Sequence, residues 1–117
     1  MINWIPLTDA SQIDSIRQAS FQRPQLIFKH STRCSISHMA KSRLERVGAP
    51  EGIDFHYLDL LAYRSLSDQV AHDFHVYHES PQVILLQQGE VVFDESHNAI
   101  SMDDITEQAG LPTNTNP

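Results

Sequence analysis

The succession of apolar patterns between residues 26 and 60 constrains this chain more than any other feature. Leu26-Ile27-Phe28 is a continuous apolar run between polar neighbours, the pattern of a strand covered on both faces. From Ser35 onward, Ile36, Ala40, Leu44 and Val47 fall four, four and three residues apart, which predicts a helix with one buried stripe that stops near Gly48 and Pro50. Phe55, Tyr57 and Asp59 then alternate with His56, Leu58 and Leu60, the period of a second strand. Two strands separated by a long helix imply a parallel crossover, since a tight turn can only reverse the chain.

The flanking segments extend this unit. Ile13, Ile16 and Ala19 follow the cap candidates Thr8 and Asp9 at helical spacing, and Pro24 closes that helix. Ser65 and Asp68 have the spacing of a capping box ahead of Leu66, Val70 and Phe74. The runs Val83–Leu86 and Val91–Phe93 flank the Gly-containing spacer Gln87-Gln88-Gly89-Glu90, which predicts an antiparallel hairpin. Ser101 and Asp104 repeat the capping-box spacing before Ile105 and Ala109, the start of a last helix. The order is helix, strand, helix, strand, helix, strand, strand, helix. It fits an α/β three-layer sandwich with a central mixed sheet of about four strands and helices on both faces. It resembles the thioredoxin-like architecture, while periodicity by itself also fits other three-layer sandwiches. A single domain is expected over residues 1–110, with 111–117 as a flexible C-terminal tail.

Composition narrows the function. The hydrophobic fraction of 40% in 117 residues is enough for one ordinary globular core. A net charge of −7 argues against nucleic acid and anionic membranes as partners, because both are bound by neutralising phosphate with Lys and Arg. The opening Met1-Ile2-Asn3-Trp4-Ile5-Pro6 lacks the basic lead and apolar run of a secretory signal, and no run has membrane-spanning length. The chain has one cysteine, so an intramolecular disulfide is impossible and a reducing cytoplasm is the expected compartment.

That cysteine, Cys34, lies where the first strong strand gives way to the crossover helix. A helix start directs backbone N–H groups and the positive end of the helix dipole at a side chain placed there, which favours thiolate over thiol. Free cysteines often serve as small buried hydrophobes, but His30, Ser31, Thr32, Arg33, Ser35 and Ser37 are polar company for such a role. Arg33 brings adjacent positive charge, the hydroxyls are potential donors to sulfur, and His30 and His78 are candidate charge partners. Glu79, if near, would oppose ionisation. Serine-hydrolase elbows, phosphate-cradling loops and dinucleotide fingerprints are missing. His72, His75 and His78 recur at three-residue intervals, yet no second cysteine or carboxylate set completes a metal site, and a solvated helix end is the simpler account. No metal is expected.

The segment Lys29-His30-Ser31-Thr32-Arg33-Cys34-Ser35-Ile36-Ser37 resembles the active-site segment of the monothiol bacilliredoxin family, thioredoxin-like proteins of the bacillithiol system. Further matches are His78-Glu79-Ser80-Pro81-Gln82, Gln88-Gly89-Glu90-Val91, and Ser96-His97 ahead of the last helix. The family commonly has proline directly after the cysteine, whereas this chain has Ser35. The resemblance implies that Ser80-Pro81 is a cis peptide facing Cys34, and that the residue before it offers its backbone to substrate. It implies a monothiol thiol-disulfide oxidoreductase in which Cys34 attacks a protein mixed disulfide and takes the low-molecular-weight thiol, bacillithiol or an equivalent, onto its own sulfur. No tightly bound cofactor is implied; the small thiol is a co-substrate, S-thiolated proteins are the clients, and the chain is a monomer or weak homodimer. Two other functions fit the same residues. One is an iron–sulfur carrier sharing a cluster through Cys34, because Cys34-Ser35-Ile36-Ser37 faintly resembles the corresponding monothiol-glutaredoxin segment. The other is a non-catalytic module that binds an extended peptide beside Pro81.

Overall fold

The structure, a computed structural model, describes residues 2–112. Along these the chain forms β1 (Trp4–Pro6), α1 (Ser11–Ala19), β2 (Gln25–His30), α2 (Ser35–Val47), β3 (Asp54–Asp59), α3 (Arg64–Phe74), β4 (Gln82–Gln87), β5 (Glu90–Ser96), a 3-10 turn (His97–Ala99) and α4 (Met102–Gln108). One sheet of order β1-β3-β2-β4-β5 contains all five strands. Strand β2 runs parallel to β3 and antiparallel to β4, so it is paired along both edges, and all six of its residues are buried. The crossover and the hairpin are where the sequence puts them.

The expected sheet of about four strands has a fifth, β1, which pairs in parallel with β3 from Trp4↔Phe55 to Pro6↔Tyr57. Three residues carry no readable period. Proline at a strand's end is tolerated here because β1 is an edge, where one side of the backbone has no ladder to join. Trp4 adds the packing, stacking on Phe28 with 5.4 Å between ring centroids and meeting Phe55 edge-on at 5.8 Å.

Side-chain alternation along β2 and β4 divides the interior in two. Leu26, Phe28, Val83 and Leu85 face α2 and α4, joining Ala40, Leu44, Met102 and Ile105 in one core. Ile27, Ile84 and Leu86 face α1 and α3, joining Ile13, Ile16, Leu66, Val70 and Phe74 in the other. By the same alternation Lys29 falls on the α3 side and His30 on the α2 side.

Several local expectations are corrected. On α2 the buried residues are Ser37, Ala40 and Leu44; Val47 is 59% exposed and Ile36 is 37% exposed. The stripe starts one residue later than its apolar members indicate, because Ser37 finds polar partners inside. The Ser65/Asp68 capping box does not form: Tyr63 is the N-cap of α3, and its side chain makes no cap bond. Ala10 occupies the N-cap of α1 in place of Thr8 or Asp9, and the amide groups of both those residues instead donate to the Gln12 side-chain oxygen at 2.8 and 3.0 Å. The Ser101 cap on α4 is as expected, its hydroxyl accepting from the Asp104 amide at 3.1 Å. Of the segment read as a tail, Leu111 packs on the first core and its amide donates to the Thr106 carbonyl at 3.1 Å; residues 113–117 lie outside the described residues.

The β4–β5 hairpin turns through Gln88 and Gly89 at φ values of 55° and 81°, the left-handed pair that a two-residue turn requires. A Cβ on Gly89 would lie 2.6 Å from the Phe21 ring. Both backbone amides of the turn are also tied to the end of α1, Gln88 to the Ser20 carbonyl and Gly89 to the Ser20 hydroxyl. Gly89→Ala is therefore expected to lower unfolding free energy by about 1–2 kcal/mol, measured by denaturant titration.

Lys29 is fully buried, among the described residues no carboxylate lies within ion-pairing distance of it, and burial lowers its pKa from 10.5 to about 8 despite the opposing pull of Asp68. A lysine whose folded pKa is depressed binds fewer protons folded than unfolded, so stability rises with pH across the window from about 8 to 10.5. Lys29→Met removes the buried charge and is expected to stabilise the fold by about 1–3 kcal/mol at pH 7. That gain should shrink as pH climbs through the window, and melting curves at pH 7, 9 and 10.5 would show it.

Candidate active site

Cys34 is the N-cap of α2, with extended backbone angles of φ −107° and ψ 120°. Its amide donates to the Ser31 carbonyl at 3.1 Å, closing the loop that leaves β2, and its carbonyl accepts from the His38 amide at 3.2 Å, opening the helix. The sulfur is partly exposed. The backbone N–H of Ser37, the Ser37 hydroxyl and the N–H of Ile36 together pull the thiol below its ordinary pKa of 9.0 against a smaller opposing effect of burial. None of these donors completes a cap hydrogen bond of regular geometry, so they act on the sulfur as a group of converging dipoles.

Ser37 has a particular part in this. Its side chain is fully buried, and its Oγ accepts from the Ser31 amide at 3.3 Å. With that lone pair engaged, the hydroxyl hydrogen is free to turn toward sulfur. Ser31 thus acts on the thiol through Ser37. Thr32, Arg33 and Ser35 are exposed, and none of them is among the groups that shift the sulfur. The expectation that Arg33 lowers the pKa by charge gives way to short-range donors from the first helical turn, since an exposed guanidinium is screened by water. Thr32 contributes its carbonyl, which accepts from His38 Nε2 at 2.8 Å and fastens the loop to the helix.

His30 is corrected as a charge partner. It is buried beneath the loop, its Nδ1 lies 2.7 Å from the Tyr57 hydroxyl, and burial with help from His38 and Lys41 holds its pKa at about 4. It is neutral at physiological pH and serves as a packing platform, with its ring 4.9 Å from that of His38. His78 is also held below the ordinary imidazole pKa, first by desolvation and then by Lys29. Glu79 faces His97, 3.4 Å from its Nε2, and is not among the groups acting on Cys34.

The second loop of the site leads into β4. Ser80-Pro81 is a cis peptide, as the resemblance implied. The register Lys29↔Gln82 brings Pro81 beside His30, so the cysteine loop and the proline loop leave the same end of paired strands. Gln82 braces the loop from within: its side-chain oxygen accepts from the Glu79 amide at 3.3 Å and its Nε2 donates to the Tyr77 carbonyl at 2.9 Å. Tyr77 is 92% exposed on that lip. His72, the first of the three spaced histidines, pairs with Asp73, and His75 ends α3 in a left-handed conformation. Among the described residues no cluster of three metal-ligating side chains occurs.

Sequence reasoning passed over Lys29, Ser67, His38 and Tyr57 as parts of this end of the sheet. Lys29 had a signal: a lone charge closing an apolar run in a strand covered on both faces must be buried.

The donors at the helix start make Ser37→Ala informative. Its Cys34 is expected to titrate at higher pH than wild type and to alkylate severalfold more slowly at pH 7. Iodoacetamide alkylation followed across pH 5–10 would check both.

A family model described as monothiol bacilliredoxin BrxC matches residues 5–105, from β1 into α4. A solved structure described as a provisionally assigned oxidoreductase with a thioredoxin fold superposes with a TM-score of 0.79 at 28% identity, covering 90% of this chain and 92% of that one. Thioredoxin from Malassezia sympodialis aligns at a TM-score of 0.67 and 14% identity over 94% of this chain and 89% of its own. Spinach chloroplast thioredoxin f aligns at 0.66 and 14% over 92% and 90%. The two thioredoxins share the fold, and the family and fold together support a redox function. Among the described residues no helix is long and apolar enough to cross a membrane. With its single cysteine at the start of the crossover helix, the chain belongs to the monothiol bacilliredoxin family.

Proposed function

We propose that this protein is a monothiol thiol-disulfide oxidoreductase that removes a low-molecular-weight thiol, bacillithiol or an equivalent, from S-thiolated client proteins. The Cys34 thiolate attacks the sulfur belonging to the small thiol; a new S–S bond forms at Cys34, the client's S–S bond breaks, and the electron pair leaves on the client's sulfur. A second small thiolate then attacks the Cys34 mixed disulfide, releasing a symmetrical disulfide and restoring the thiolate. With one cysteine in the chain, resolution has to come from outside.

The observation that carries this reading is a partly exposed sulfur held below its ordinary pKa by the first turn of α2. A buried structural cysteine in apolar surroundings would shift upward instead. In this reading Cys34 is the catalytic residue. Ser31 and Ser37 tune it, the exposed Thr32, Arg33, Ser35 and Glu79 are the side chains offered to substrate, and the largely buried Ser80-Pro81 pair contributes through its backbone. The family match supports a small thiol as co-substrate, with S-thiolated proteins as the proposed partners.

In the test, a client carrying the small thiol is incubated with wild type or Cys34→Ser and followed by intact mass. Wild type is expected to gain the mass of the small thiol on Cys34 as the client loses it, and Cys34→Ser to leave the client unchanged. Equal dethiolation by both, or a wild-type Cys34 that titrates at or above the ordinary thiol value and accepts nothing, would overturn the assignment.

A further inference from the structure

Lys29 is the one fully buried lysine on β2, and its surroundings leave it little choice of partner. Its ammonium donates to the Ser67 carbonyl at 3.1 Å and to His78 Nδ1 at 3.2 Å, with the Ser67 hydroxyl a further 3.4 Å from that nitrogen. An ammonium can only donate, so Nδ1 of His78 is an acceptor and the imidazole carries its proton on Nε2. The tautomer is therefore set by Lys29. The His78 side chain is itself exposed, three residues before cis-Pro81 on the loop that shares its end of the sheet with Cys34.

Of the ammonium's two partners a carbonyl cannot pass a proton on, whereas an imidazole accepts at one nitrogen and donates from the other. We propose that Lys29 and His78 form a proton relay that delivers a proton to the client thiolate as it departs, Lys29 acting through His78. The inference rests on the exchange reaction proposed above. As the client's S–S bond breaks, the Nε2–H bond of His78 breaks and an S–H bond forms on the leaving sulfur. At the same time one N–H bond of Lys29 breaks and an Nδ1–H bond forms. Lys29 is left as a neutral amine and His78 as its Nδ1–H tautomer. Return of that proton to Lys29 and uptake of one from solvent at Nε2 reset the pair, and no oxidant or reductant beyond the disulfide exchange is involved.

The electrostatics of the cluster support the direction of transfer. Burial brings Lys29 to about 8, near the range of a thiol, so the proton moves between groups of similar basicity. Lys29 faces Asp68 of α3, and His78 faces Lys29 together with Asp68 and Arg64 of α3 and Glu79 of its own loop. Desolvation and the Lys29 charge outweigh the carboxylates at His78 and keep it neutral, as a relay requires.

The experiment uses single-turnover exchange of wild type, Lys29→Met and His78→Gln with two disulfides. One, 5,5′-dithiobis(2-nitrobenzoate), has a weakly basic aromatic leaving thiolate; the other, 2-hydroxyethyl disulfide, has a strongly basic aliphatic one. Each rate is normalised to that variant's Cys34 thiolate fraction from its own alkylation titration. Acid assistance matters more as the leaving group becomes more basic, so in both variants the aliphatic-to-aromatic rate ratio is expected to fall about tenfold or more. Nitrogen-15 NMR of wild type is expected to show His78 protonated on Nε2. An unchanged ratio in both variants, or an Nδ1–H tautomer in wild type, would overturn the relay while leaving the exchange function intact. A wild type that reacts with neither disulfide would overturn both. Lys29→Met replaces a buried charge by an apolar chain of similar length, and His78 is exposed, so folding is retained and checked by circular dichroism.

Discussion

Strand β2 is paired on both edges and covered on both faces, and nearly everything else in the molecule takes its position from that arrangement. Parallel pairing with β3 demands the α2 crossover, antiparallel pairing with β4 sets where the proline loop begins, and the alternation of Leu26, Ile27 and Phe28 sorts the helices to their two sides. Six buried residues leave no slack in register, because a one-residue slip would exchange the contents of the two cores. The reactive end of the sheet inherits this rigidity. Cys34 needs no special fold of its own; it needs a strand that stops in a fixed place and a helix that starts after a four-residue loop.

The same alternation decides the fate of the two basic residues that close the strand. His30 turns toward α2, where burial keeps it neutral beside the Tyr57 hydroxyl, while Lys29 turns toward α3 and keeps its proton. Neither contributes charge to the sulfur. The thiol is activated by neutral donors one turn away, chiefly those of Ser37, and this localises control of reactivity to the opening of α2. A serine in place of the family's usual proline after the cysteine is compatible with that design, because the converging N–H groups belong to Ile36 and Ser37 rather than to residue 35.

The sequence made the large features legible because they rest on long, repeated patterns. The β2–α2–β3 crossover, the hairpin at Gln88-Gly89 and the Ser101 cap each combine a period with a punctuating residue. What escaped was decided by tertiary contact. Strand β1 is too short to show a period and exists because β3 offers an open edge. Ser37 took the inner position on α2 that the apolar spacing gave to Ile36, since the Ser31 amide and the Cys34 sulfur satisfy a buried hydroxyl there. Cys34 and Pro81 could be picked out from their motifs, but the neutrality of His30 and the engagement of His78 by Lys29 depend on which face of a strand each residue meets. A charge partner cannot be told from a packing partner without knowing that face.

The outer margin of β5 has a consequence beyond this site. Its backbone forms one free border of the sheet, and along it the exposed Glu90, Val92 and Asp94 alternate with the half-buried Val91, Phe93 and Glu95, with an irregularity in the pairing at Leu85/Leu86. Acidic residues and a broken ladder on a border strand repel and misalign a second copy that would otherwise extend the sheet. Strand addition at this margin is thereby disfavoured.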